Sequence, residues 1–110
     1  MTLDDLVAYG ANVEEGLNRC MNNEEFYLRL VSTVKDEQGF DALDDAIKAG
    51  DLDAAFENAH ALKGVLANLA LTPMLEPIQE ITELLRARTE MDYSEIMGRI
   101  MDARAAFLAL

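Results

Sequence analysis

The chain has 110 residues and contains no tryptophan, one cysteine, one histidine and two prolines. With a single cysteine there is no internal disulfide, and a thiol such as Cys20 is ordinarily a small packing residue of a reducing compartment. Positive charge is scarce as well: nine Lys and Arg stand against 21 Asp and Glu, for a formal net charge of -12. Such a surface repels phosphate backbones and anionic headgroups, so neither nucleic acid nor a membrane is an expected partner. No apolar run reaches the roughly 18–20 residues of a membrane span. The opening Met1-Thr2-Leu3-Asp4-Asp5 is acidic where a secretory signal is basic, and a cytoplasmic protein is expected. No glycine-rich phosphate loop is present, which leaves no motif for gripping ATP. The length suits one domain over residues 1–110.

What the chain does have is helical periodicity. Apolar residues recur every three or four positions, and no β-branched stretch alternates strictly, so the expected class is all-α. Thr2 caps a short helix that stops at Gly10, and Asn12 with Glu15 and Asn22 with Glu25 have the N-x-x-E spacing of capped helix starts. A helix over Asn23–Asp36 carries Phe26, Leu30, Val31 and Val34 on one stripe, before Gln38-Gly39 breaks it. Phe40–Ala49 ends at Gly50, and Asp51 caps a long helix from Leu52 to about Ala70. Thr72-Pro73 starts the next helix, which runs past Pro77 to about Arg88, and Asp92 with Glu95 opens the last. Short connections between such helices predict an up-down antiparallel four-helix bundle with one or two short N-terminal helices. Met74, Met91, Met97 and Met101 fall at helical spacings and read as adaptable core filler without a role.

His60 is the one side chain that titrates near neutral pH unaided. With about 100° per residue and Ala59 at the centre of the apolar stripe, Leu52, Ala55, Phe56, Leu62 and Leu66 lie within roughly 60°. His60 falls at about 100°, at the edge of the core. The residues one and two turns on, Gly64 and Ala67, have almost no side chain, so the outer edge of the ring is expected to stand open. A mid-helix glycine costs roughly 1 kcal/mol against alanine, so Gly64 asks for a reason. Lys63 brings one of the nine positive charges to the same patch, where an anionic group on the ring would meet it. Singly, each has a plain structural reading: an interface histidine, a close-packing glycine, a snorkelling lysine.

The stretch Glu57-Asn58-Ala59-His60-Ala61-Leu62-Lys63-Gly64-Val65-Leu66-Ala67-Asn68-Leu69 resembles the H-x-L-K-G helix of histidine-containing phosphotransfer (HPt) domains. The resemblance implies a four-helix bundle with the histidine exposed on a central helix. It implies that His60 is the phosphoacceptor, that Lys63 stabilises the phosphoryl group, and that Gly64 keeps the ring accessible. A second glycine common in that family is replaced here by Ala70. Also implied are receiver domains of response regulators as partners, with a hybrid sensor kinase as a further source. The receiver would supply Mg²⁺ and this chain no cofactor of its own. The expected activity is that of a monomeric phosphocarrier in a two-component phosphorelay rather than of a kinase. Gln79 is a candidate hydrogen-bond partner for the inner ring nitrogen, and Asp53, Glu57 and the Asp41–Asp45 stretch are candidates for partner choice.

Two alternatives belong to other classes. Glu57-x-x-His60 has the i, i+3 spacing of carboxylate-bridged di-iron bundles, but those sites need two such pairs and the chain has one histidine. The second is an acidic helical adaptor that binds proteins without phosphotransfer.

Overall fold

The computed structural model describes all 110 residues, as seven α-helices and one 3-10 turn. They are α1 (Leu3–Tyr9), α2 (Val13–Arg19), α3 (Glu24–Thr33) with its 3-10 extension Val34–Asp36, α4 (Gly39–Lys48), α5 (Leu52–Asn68), α6 (Thr72–Arg86) and α7 (Ser94–Leu108). Helices α4 to α7 form the up-down bundle, α5 packing against both α4 and α6, and α7 against α6. Three short helices precede it where one or two were expected. They gather at the end of the bundle where α5 turns into α6: Gly10 lies against Pro73, and the Asn12 amide donates to the Ala70 carbonyl at 3.0 Å. Tyr9 of α1 reaches α7, donating its hydroxyl to the Ala103 carbonyl at 2.8 Å and tilting against Phe107.

One apolar core joins all of this, from Leu6 through Tyr27, Phe40, Leu62 and Ile81 to Phe107. Cys20, Met74 and Met97 are buried in it as packing residues, whereas Met91 is exposed at the α6–α7 connection. Gly16 is buried against the Tyr27 ring so closely that an added Cβ would stand 2.5 Å from it. This contact brings α2 down onto α3, and it leaves the Tyr27 hydroxyl free to donate to the Leu69 carbonyl at 2.9 Å.

The helix boundaries shift where side chains and backbone compete. Asn23, not Asn22, caps α3, its side chain accepting from the Phe26 amide, while Met21 and Asn22 both sit at φ 56 in the left-handed region. Ser32 and Thr33 turn their hydroxyls back onto the Leu28 and Leu30 carbonyls, and the helix tightens there into the 3-10 turn. Helix α5 stops at Asn68, and Ala70 beyond it has φ 55; α6 stops at Arg86, and Arg88 has φ 52. At both ends the next amides close back, Leu71 onto the Leu66 carbonyl and Thr89 onto that of Leu84, in the Schellman pattern. At the start of α7, Asp92 does not act as the cap. Tyr93 occupies that position, and the Asp92 carboxylate accepts from the Ser94 amide at 2.9 Å.

Candidate functional site

Helix α5 presents the site because its apolar stripe is narrow and made partly of alanine. Ala55, Ala59, Leu62 and Leu66 are buried, and Asp51 fixes the start of the helix by accepting from the Ala54 amide at 3.0 Å. One step round the helix, the His60 side chain is exposed. Gly64 is exposed one turn on, and a Cβ placed there would meet nothing within 4 Å. Packing therefore does not require this glycine, and what it provides is bare backbone beside the ring.

The imidazole is held from the other side. His60 stacks on Phe56, one turn back, with centroids 5.6 Å apart and planes 18° from parallel, within the range of favourable offset stacking. Phe56 is itself covered by cations from the end of α6: the guanidinium carbons of Arg86 and Arg88 lie 5.1 and 4.9 Å from its centroid. Both distances suit a cation–π contact. Arg88 is anchored further by its Nε donating to Asp53 Oδ1 at 2.7 Å and its guanidinium donating to the Leu85 carbonyl. These contacts hold its left-handed backbone in place at the helix end.

Lys63 completes the patch. Its ammonium lies 3.9 Å from Glu83, whose other oxygen takes Arg86 Nε at 3.2 Å. The Lys63 side chain is one-third exposed, its stem along the apolar edge of the helix and its charge outward. Two of the nine cations of this acidic chain, Arg86 and Arg88, thus lie over the aromatic stack, and Lys63 adjoins them through Glu83, the carboxylate it shares with Arg86. An exposed imidazole offers a nucleophilic nitrogen, and Lys63, one turn along the same helix, is a cation that can turn toward an anion formed there.

The structure brings His60, Lys63 and Gly64 to one surface, with the ring open. It does not join Gln79 to the ring. Nearby, the Asn58 side-chain amide donates to the Ala54 carbonyl and the Thr82 hydroxyl to the Ile78 carbonyl, while the His60 and Gln79 side chains enter no hydrogen bond. Of the acidic residues expected to select partners, Asp53 is paired with Arg88, Asp44 with Lys48 and Asp41 with Arg104, while Glu57 is exposed. No group of three His, Cys, Asp or Glu side chains converges anywhere in the chain, so Glu57 and His60 are not part of a larger donor set.

Phe56, Arg86 and Arg88 are the members of the site that the sequence reading passed over. The available signal was spacing: Phe56 is four residues before His60, on the same helix face. The two arginines come from another helix, and nothing local announced them. No curated protein and no solved structure gives a significant match to the chain. A comparison with protein families matches residues 31–109 to the Hpt domain, taking in all four bundle helices and the whole of this site. With that match over well more than half of its length, the chain belongs to the Hpt domain family.

Proposed function

We propose that His60 is the phosphoacceptor of this domain, taking a phosphoryl group from the phosphoaspartate of one receiver domain and passing it to another. Histidine phosphotransfer in phosphorelay signalling is the general work of Hpt domains, and receiver domains are their typical partners. The observation that supports the residue assignment is the exposed His60 ring, open on the Gly64 side and stacked on the other against Phe56, which itself lies beneath Arg86 and Arg88.

The chemistry asks for positioning and charge neutralisation. The lone pair of the outward ring nitrogen attacks phosphorus in line. A P–N bond forms as the acyl phosphate P–O bond breaks, and the donor aspartate leaves as a carboxylate with the bonding electrons. The proton on the other ring nitrogen stays in place. Run in reverse against a second receiver, the same step discharges the carrier. Stacking on Phe56 limits the orientations of the ring. Lys63, held by Glu83 only at 3.9 Å, turns to the phosphoryl oxygens, while Arg86 keeps the glutamate occupied. The Mg²⁺ of the reaction belongs to the acidic pocket of the receiver. In this reading residues 1–110 act as one monomeric, cytoplasmic unit.

The test is incubation with a phosphorylated receiver. Acid-labile, base-stable label on the wild type and none on His60→Gln is the expected result. Equal labelling of the two, or none from any receiver of the source organism, overturns the assignment.

A further inference from the structure

Away from the histidine patch the molecule carries a concave surface that includes none of His60, Phe56, Lys63, Gly64, Arg86 and Arg88. It is lined chiefly by α4, α7 and the connections beside them. Near one end α7 is tied to α4, where Arg104 donates to Asp41 at 2.9 Å and lies over the Phe40 ring. Toward the other end the helices part and leave an open groove of about 700 Å³, the size of clefts that take drug-sized ligands or a few anchoring side chains.

Ile47, Leu52, Met97 and Met101 give the groove an apolar lining, and Met91 stands at its mouth 48% exposed. Methionines adapt their shape to what they meet. The rim is acidic. Lys48, its only cation, is committed to Asp44 at 2.7 Å, while Glu90 and Asp92 have no cation beside them. Gly98 adds an independent observation. It lies inside α7 and lines the groove, yet a Cβ there would meet nothing within 4 Å. A helix-interior glycine destabilises relative to alanine, and no packing contact of this chain requires one here. What it supplies is bare backbone on the groove wall, where another chain can come close.

We propose that this groove docks a basic amphipathic helix of a partner protein. From Ser94 to Met101 the wall is two helical turns, about 10 Å, enough for apolar side chains at i, i+3 or i+4 and i+7. Lysines or arginines flanking those anchors meet Glu90 and Asp92. A second copy of the chain is disfavoured, since it brings the same acidic rim and a charge of -12 to the contact. A neutral apolar ligand leaves the rim carboxylates unanswered. Neither His60 nor Lys63 lines the groove, so the docked helix does not occupy the histidine, and the inference does not depend on the phosphotransfer reading.

The test uses the intact, unphosphorylated chain. The probes are a fluorescent Leu/Lys peptide patterned as an amphipathic helix, a scrambled peptide of the same composition, and a Leu/Gln peptide of the same pattern. Binding is read by anisotropy and by methionine-methyl NMR. The patterned basic peptide is expected to bind at least tenfold tighter than either control, moving the Met91, Met97 and Met101 methyls and leaving Met1, Met21 and Met74 in place. Gly98→Leu, which fills the groove, and the loop variant Glu90→Lys/Asp92→Lys should each lower affinity at least tenfold with helix content unchanged. Equal binding of patterned and scrambled peptides reduces the effect to bulk charge and overturns the proposal. Equal binding of the Leu/Gln peptide overturns it in favour of an uncharged ligand, and self-association abolished by Gly98→Leu in favour of a second copy.

Discussion

The His60 ring lies on the Phe56 ring at 5.6 Å, 18° from parallel, and Phe56 in turn lies under two arginines. The His60 ring is therefore oriented by an aromatic neighbour on its own helix rather than by a hydrogen bond. A stack of this kind is worth about 0.5–1.5 kcal/mol, and if it acts on the ring in the reacting geometry, Phe56→Ala should slow phosphotransfer about 2- to 12-fold. Phe56→Tyr keeps the stack and should keep the rate. Single-turnover labelling from a phosphorylated receiver reads both. A Phe56→Ala rate equal to wild type means that the stack does not orient the nucleophile.

Lys63 and Arg86 share the carboxylate of Glu83. The Lys63–Glu83 pair is long and partly solvated, and exposed pairs contribute about 0–1 kcal/mol, so Lys63→Ala should barely move the melting temperature. Its effect belongs to transfer: losing a charge-assisted contact of about 1.5–3 kcal/mol to the phosphoryl group predicts a fall of tenfold or more. Glu83→Gln should act in the opposite direction, releasing Lys63 from its competitor. If both substitutions slow transfer alike, Glu83 is a supporting residue and not a competitor.

At Gly64 stability and function should separate. Nothing occupies the space of an added Cβ, so Gly64→Ala should stabilise the helix by about 0.5–1 kcal/mol, a rise of several degrees in melting temperature. Gly64→Phe should leave the circular dichroism of the bundle unchanged and cut transfer at least about tenfold by covering the ring, a loss of about 1.4 kcal/mol. A destabilised Gly64→Ala protein would mean that the glycine is structural after all.

Much of the bundle could be read from periodicity and caps, because the residues responsible act locally. Thr2, Asn12 and Asp51 cap the helices they precede, and Gly10 and Gly50 end helices with the positive φ that glycine allows. Three of the shifted boundaries share one cause: Met21, Ala70 and Arg88 take the same left-handed conformation without being glycine, so the residue that usually marks such a helix end is missing from the sequence. His60, Lys63 and Gly64 were legible as one motif, whereas Arg86 and Arg88 reach the patch only through the packing of α6 on α5. This contrast predicts two substitutions of opposite sign. Ala70→Gly should stabilise by about 1 kcal/mol by relieving the left-handed backbone. Gly16→Ala should destabilise by about 1–3 kcal/mol, since its Cβ would displace the buried Tyr27 ring. Chemical denaturation of the two variants checks both.

The three tyrosines make the alkaline limit of the fold predictable. Tyr9, Tyr27 and Tyr93 each donate a hydroxyl to a backbone carbonyl, of Ala103, Leu69 and Thr89. Burial pushes all three phenols above their ordinary value, and at Tyr27 the neighbouring Cys20 adds to it. The folded state therefore favours the protonated phenol. The stability this gives is complete below the unfolded value near 10 and is lost as the pH rises from there through the higher folded values, because the unfolded chain releases those protons first. Absorbance at 295 nm should show tyrosine ionisation delayed beyond pH 10 and coincident with loss of helix by circular dichroism. Tyr27→Phe leaves the buried Leu69 carbonyl without its donor, costing about 1–3 kcal/mol at neutral pH, but it should make the alkaline loss shallower by one proton. Ionisation of all three at pH 10 with the helices intact would show that these phenols are solvated and that their carbonyl bonds do not hold the fold.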